Sequence, residues 1–186
     1  MCLFIMPVAL PLMAICALLI WLEDHDTVIF TQQRTGRGGR PFAMLKFRTM
    51  VPNAEELKAQ YAHLNELSWP DFKISDDPRV TRIGRFLRKT SLDELPQLFN
   101  VLRGEMSLVG PRPTSFASDT YELRHTERLE VLPGITGLWQ VSGRSDVDFD
   151  ERLLLDVAYI EHQSLWLDCT ILMRTALVLI SRRGAY

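Results

Sequence analysis

Residues 1 to 22 carry no charged side chain, and then Glu23, Asp24 and Asp26 arrive together. As a helix, such a run reaches about 33 Å, enough to cross the hydrocarbon core of a bilayer. Pro7 and Pro11 lie inside it. Each proline removes a backbone donor and crowds the turn before it, so the pattern predicts a sharp bend. A bent apolar helix enters a membrane and leaves on the same face, and that reading is preferred to a straight span. No basic stretch opens the run and no small-residue cleavage site closes it, which argues against a signal peptide. The chain starts inside the apolar run, so further sequence is expected upstream. The pattern divides the chain into a re-entrant membrane helix, 1–22, and a membrane-associated cytoplasmic domain, 23–186.

After the acids the period changes. Residues 27–50 read as a β-hairpin: Val28–Phe30 are β-formers, "GRGG" supplies the turn, and "PFAMLKFRT" alternates. Ala43, Leu45 and Phe47 fall on one face, Lys46 and Arg48 on the other. "NAEELKAQYAHLNEL" predicts a helix capped by Asn53 with Leu57, Tyr61 and Leu64 on one face. "SWPDFKISDDP" is a loop, and "RVTRIGRFLRKT" a short basic helix with Arg79, Arg82, Arg85 and Arg88 in a row. "RLEVLPGITGLWQVSGRS" is a loop punctuated by glycine, and "DVDFDERLLLDVAYIEHQ" starts a helix at its acids. The tail "SLWLDCTILMRTALVLISRRG" is apolar but interrupted by Asp168 and Arg174, which suits an interfacial or core helix with Trp166, Arg182 and Arg183 at a headgroup layer. The expected fold is α+β and mostly helical, with a re-entrant membrane helix, interfacial helices and a small β-hairpin.

At 186 residues the chain is long enough for one domain with a substantial core. A net charge of −2 gives no general attraction to nucleic acid, and no nucleic-acid partner is expected. The three cysteines are far apart among apolar residues, which argues against a disulfide framework. The four histidines show no zinc-ligand spacing.

Charge is concentrated instead around "TSLDELPQL", where Asp93 and Glu94 stand side by side. Two placements of the following helix are open. Ser91 with Glu94 fits a capping box. Alternatively Asp93 is the N-cap and Pro96 falls in the first turn, where its missing N–H is harmless. The second is preferred, because Leu95, Leu98, Phe99 and Leu102 then form one stripe that Gly104 ends. Either placement sets both acids at a helix N-terminus, where the dipole and the nearby arginines favour ionised Asp93 and would also favour a bound phosphate. Pro111 and Pro113 hold Arg112 between them, so its fork is presented with little entropy to lose. Arg112, with Lys46, Arg48, Arg88 and Arg144, makes a candidate phosphate-binding set. One carboxylate can attack phosphorus to form an acyl phosphate. The other can help hold Mg²⁺ on a diphosphate, so Asp93 and Glu94 are the candidate catalytic and metal-binding pair.

The blocks "KFRTM", "DPRVTRIGRFLRKTSLDELPQLFNVLRGEMSLVGPRP", "PGITGLWQVSGRS" and "YIEHQSLWLD" run nearly end to end. Through them the chain resembles the bacterial sugar transferases, the monotopic phosphoglycosyl transferases that begin glycan assembly on polyprenol phosphate. It is most similar to larger members that carry an extra N-terminal membrane region and load glucose- or galactose-1-phosphate for exopolysaccharide. The resemblance implies a UDP-sugar donor, release of UMP, and a phosphosugar held covalently on Asp93 with Glu94 as its dyad partner. Transfer to undecaprenyl phosphate would follow, at the cytoplasmic face of a bacterial inner membrane. A homo-oligomer is compatible with this reading.

Two other classes fit parts of the pattern. Asp146-Val147-Asp148 is a D-x-D sequence of the kind that holds a metal in glycosyltransferases, though the first half lacks the alternating strands and helices of a nucleotide-binding sheet. A membrane-associated scaffold would use the acids as caps and the bases as headgroup contacts.

Overall fold

The structure is a computed structural model that describes residues 2–66, 74–114, 126–142 and 149–181. The apolar run forms one helix, α1 (Cys2–Asp24), with Pro7 and Pro11 inside it. The helix runs through both prolines without interruption. Each proline removes one backbone donor, and the turns on either side continue. Met6, Ala9, Met13, Cys16 and Ile20 form its buried stripe, which packs against Phe47, Leu87 and Leu98. The opposite face exposes Leu3, Phe4, Val8, Ile15 and Leu18. Both ends of α1 touch the rest of the chain. Cys2 Sγ lies 3.8 Å from the Leu98 carbonyl oxygen, and Glu23 Oε1 accepts from the Arg82 and Ile83 amides at 2.9 and 3.2 Å. Among the described residues, α1 is the one helix long and apolar enough to cross a membrane.

The hairpin is present as β1 (Ile29–Thr35) and β2 (Pro41–Phe47), antiparallel, with Ile29 opposite Phe47 and Thr35 opposite Pro41. Its faces differ from the expected ones. Phe42 and Met44 pack against Met106, while Phe47 joins the α1 cluster. The strand is covered on both sides, and simple alternation does not describe such a strand.

Residues 53–66 do not form the predicted helix. They make single 3₁₀ turns at Glu56–Lys58 and Ala62–Leu64. Leu64 is exposed and Leu57 and Tyr61 are only half-buried, so the amphipathic face has no core to pack against. The basic helix is α2 (Arg82–Thr90), capped by Thr81 Oγ1 accepting from the Gly84 amide at 2.9 Å and by Glu23 from α1. A Cβ on Gly84 would stand 2.1 Å from the Thr49 carbonyl oxygen, so only glycine lets α2 rest on the strand end.

Ser91 ends α2 in the left-handed region at φ 57°. A 3₁₀ turn over Leu92–Glu94 follows, and then α3 (Gln97–Leu102). Neither predicted cap is found: neither Ser91 nor Asp93 makes a side-chain capping bond, and Pro96 precedes α3. The tight turn places Asp93 inside a helical connection rather than over a helix end. Gly104 terminates this segment, as expected, at φ 76°.

Beyond it, β3 (Ser107–Val109) pairs in parallel with β4 (Gly134–Thr136). A Cβ on Gly134 would lie 2.1 Å from the Gly110 amide nitrogen, so glycine permits this close approach. The chain continues as α4 (Leu138–Ser142), α5 (Phe149–Glu161) and α6 (Leu165–Ser181). Val109, Tyr159 and Ile171 bury a separate cluster here, and the Tyr159 hydroxyl donates to Asp168 Oδ1 at 2.8 Å. The outer side of α6 exposes Leu165, Trp166, Met173 and Leu177. The described residues are mostly helical with two small sheets, in line with the α+β expectation.

Candidate active site

Three segments meet at the acidic pair: β2, the turn between α2 and α3, and the extended residues after β3. Asn100 sets the first meeting. It is fully buried on α3, accepts from the Leu45 amide at 3.0 Å and donates to the Ala43 carbonyl at 2.8 Å. These bonds clamp α3 on the part of β2 that carries Lys46. Lys46 Nζ then reaches Glu94 Oε1 at 3.0 Å.

Arg112 arrives from the other side. Its Nη2 donates to Glu94 Oε1 at 2.6 Å and its Nη1 to Oε2 at 3.4 Å, a two-point grip on one carboxylate. The Gly134 amide holds the Pro111 carbonyl at 2.9 Å, which ties this segment to the β3–β4 pair. Burial opposes ionisation of Glu94, but the charges of Arg112 and Lys46 outweigh it and hold the carboxyl well below the usual range.

Asp93 is different. Among the described residues its carboxylate has no hydrogen-bond or ion-pair partner. Burial pushes its carboxyl above the usual aspartate range; Lys46 pulls it down, Glu94 adds to the rise, and Arg112 and Arg88 pull it down. The expected lowering is therefore reversed, because desolvation is the largest cause.

The predicted phosphate ligands separate into groups. Lys46 and Arg112 stand on the dyad. Arg88 is near it: its Nε donates to Thr49 Oγ1 at 2.9 Å and its charge acts on Asp93. Arg48 is elsewhere. It sits just past the end of β2, with Nη1 and Nη2 each 2.5 Å from Asp24 at the end of α1, Nε donating to the Thr27 carbonyl, and Nη1 also to the Met50 carbonyl at 3.4 Å. Of the arginine row, Arg79 is buried on Asp77 at 2.6 Å, and Arg82 and Arg85 are exposed. Arg144, Asp146 and Asp148 lie outside the described residues.

For a metal, the described residues hold no cluster of three or more ligating side chains. The dyad offers one free carboxylate, Asp93, and one already engaged by two cations. That donor set suits Mg²⁺ carried in on a diphosphate, since Mg²⁺ is commonly held by one or two carboxylates plus phosphate oxygens.

Sequence patterns gave no sign of Asn100, nor of Gln97, Arg128 and Asp156. Gln97 is 2% exposed and its Nε2 has no partner, on the turn that follows the dyad. Glu94, Gln97 and Asn100 recur every three residues, and the outer two both bond to β2. Arg128 Nη2 donates to the Arg112 carbonyl at 2.8 Å and lies 2.7 Å from Asp156 Oδ2 on α5.

Comparison with known proteins supplies a separate finding. The family described as Bacterial sugar transferase matches residues 1–182. The undecaprenyl-phosphate galactose phosphotransferase of Salmonella typhimurium is 48% identical over 193 residues, covering 98% of this chain and 39% of that protein. The UDP-glucose:undecaprenyl-phosphate glucose-1-phosphate transferase of Caulobacter vibrioides is 43% identical over 187 residues, covering 95% of this chain and 65% of that protein. The exopolysaccharide production protein ExoY of Rhizobium meliloti is 40% identical over 183 residues, 95% of this chain and 80% of that protein. The chain thus spans about two fifths of the length of the Salmonella relative.

Proposed function

The chain belongs to the bacterial sugar transferase family, and from that premise we propose that it moves a hexose-1-phosphate from a UDP-sugar to undecaprenyl phosphate. The observation that carries this reading is the contrast within the dyad: Glu94 is gripped by Arg112 and Lys46, while Asp93 beside it has no partner among the described residues. An unpartnered carboxylate among cations is what nucleophilic attack on a diphosphate needs.

In the proposed reaction an Asp93 oxygen attacks the phosphorus that bears the sugar. The new O–P bond forms as the bond to the UMP oxygen breaks, and UMP leaves with that electron pair. A phosphate oxygen of undecaprenyl phosphate then attacks the same phosphorus and returns Asp93 as a carboxylate. Arg112 and Lys46 neutralise the phosphoryl oxygens, and Arg88 supports the field at Asp93. Mg²⁺, held by Asp93 and by Glu94 if substrate draws away one of its cations, would neutralise the diphosphate. Galactose and glucose named in the relatives make UDP-galactose and UDP-glucose the first donors to try, for exopolysaccharide synthesis.

The placement is the cytoplasmic face of the bacterial inner membrane, with α1 re-entrant. Support comes from its two ends, which contact α3 and α2 of one body. A span would carry the Cys2 end through the bilayer, away from the α3 carbonyl that it touches. The unpaired outer face of α1 and the exposed Phe86, Phe99 and Leu102 on α2 and α3 give lipid a surface to cover. Cysteine-accessibility labelling at the start of α1 checks this: labelling from the periplasmic side alone overturns it.

The deciding experiment gives the enzyme a UDP-sugar without acceptor. UMP release and a sugar-phosphate mass on the Asp93 peptide are expected. No adduct, with kinetics that require both substrates bound together, replaces the covalent route by direct transfer. UDP as product overturns phosphosugar transfer and favours a glycosyltransferase using Asp146 and Asp148.

A further inference from the structure

Arg112 lies between two prolines, so its segment has few ways to be held. Pro111 and Pro113 donate no backbone hydrogen bonds. The Pro111 carbonyl is fixed by the Gly134 amide at 2.9 Å. The Arg112 carbonyl is fixed by a side chain, Arg128 Nη2, at 2.8 Å. That same nitrogen stands 2.7 Å from Asp156 Oδ2, and the two side chains are only 8% and 1% exposed.

A buried ion pair of this kind contributes little to stability by itself, because desolvating two charges offsets their attraction. Asp156 reports that imbalance: burial outweighs Arg128 and Arg152 and pushes its carboxyl up to about 6. Arg128 Nη2 directs its hydrogen bond to the Arg112 carbonyl, while the buried Asp156 oxygens accept none and hold Arg128 by charge at 2.7 Å. At the other end of Arg112, the guanidinium meets Glu94 at 2.6 Å. Helix α5 is thereby connected to the dyad through three side chains.

We propose that Arg128, anchored by Asp156, is a positioning residue that sets the direction from which Arg112 meets the substrate phosphate. This rests on the reading that Arg112 binds that phosphate. A displacement of about 1 Å at such a group is enough to lower turnover by orders of magnitude, so a bond to its carbonyl has leverage that its own strength does not suggest.

The test is a double-mutant cycle on kcat/KM for the UDP-sugar, using the full chain in detergent with Arg112→Lys, Arg128→Lys and both together, and Asp156→Asn in place of Arg128→Lys. Arg128→Lys keeps a cation facing Asp156 but shortens its reach to the carbonyl. Each of Arg128→Lys and Asp156→Asn should lower kcat/KM roughly tenfold, inside the range for residues sharing one network. On an Arg112→Lys background the same changes should cost less than about twofold, because the group they position is already lost. Losses that multiply in full on both backgrounds overturn the positioning role. Melting temperatures separate these losses from unfolding, and a kcat/KM loss that only tracks the folded fraction also overturns it. Near wild-type activity in Arg112→Lys alone overturns the phosphate-binding reading itself, and the inference with it.

Discussion

Two arginines of this molecule each grip a carboxylate with two nitrogens, and their surroundings could hardly differ more. Arg48, 7% exposed, holds Asp24 at the foot of α1 and also donates to two backbone carbonyls. Arg112, 34% exposed, is offered one partner by the described residues, Glu94, and shares it with Lys46. At Arg48 donors and acceptors are matched, and the group joins α1 to the hairpin. Among the described residues, Arg112, Lys46 and Arg88 give three cations for two carboxylates, and one of those carboxylates is unpaired. The matched cluster is a fastening. The mismatched one carries more positive charge than its own carboxylates balance, as the proposed phosphate site requires.

The most severe break is at the unpaired acid. Asp93→Asn keeps shape and removes the proposed nucleophile, so UMP release from UDP-sugar should fall to background while thermal unfolding stays near wild type. Unfolding that moves as far as activity would mean that Asp93 is structural, like Asp24.

Arg112→Lys keeps the charge but not the two-point geometry. A charged hydrogen bond contributes roughly 1.5–3 kcal/mol, so kcat/KM should drop by a factor of about 10 to 150. Little change in melting temperature is expected, because lysine keeps a cation beside Glu94, which Lys46 also holds.

Arg48→Met inverts that result. It strands the Asp24 carboxylate and two carbonyls, for a loss of about 1–3 kcal/mol in a partly exposed setting. Chemical denaturation should show the loss, and kcat/KM per folded molecule should stay within about twofold. A selective loss of UDP-sugar turnover with normal stability would return Arg48 to the phosphate-binding set.

The smallest effect concerns the Arg128–Asp156 pair. The Asp156 carboxyl is raised to about 6, with burial the largest cause and Arg128 and Arg152 opposing it. Between its ordinary value of 3.8 and about 6, the folded state keeps a proton that the unfolded chain has released. Asp156 therefore makes stability fall as pH rises through that window. Glu94 and Asp77, whose carboxyls are lowered, act with the opposite sign and below their ordinary values. Urea midpoints across pH 4.5 to 6.5 should fall less steeply in Asp156→Asn than in the wild type. Parallel slopes would assign the titration elsewhere.

Much of this is legible in the sequence. The dyad, Arg112 and Lys46 come together because each lies on a short, strongly patterned segment. The basic helix and the Gly104 stop followed from local signals in the same way. What was misread depended on distance along the chain. Arg48 shares an alternation with Lys46, but it lies one residue beyond β2, and its partner Asp24 belongs to another element. The helix expected from Asn53 fails for want of a neighbour to bury Leu57, Tyr61 and Leu64. Asp93 was read as a cap because a proline usually marks a first turn, whereas the chain uses a 3₁₀ turn there. Arg128 and Asp156 are 28 residues apart in numbering and carry no motif, so only the packing of α5 reveals them.

Helix α1 has one last consequence, for the order in which the protein is made. Its buried stripe completes the cluster that includes Phe47, Leu87 and Leu98, so the body that carries the dyad lacks part of its interior until α1 is docked. The other half of the helix is apolar and needs cover of its own. A ribosome delivers α1 ahead of everything it packs against, and lipid is the first surface on which such a helix can wait. On the proposed topology, maturation and membrane delivery are then one event. A chain without α1 should accumulate as aggregate rather than as a soluble, active enzyme.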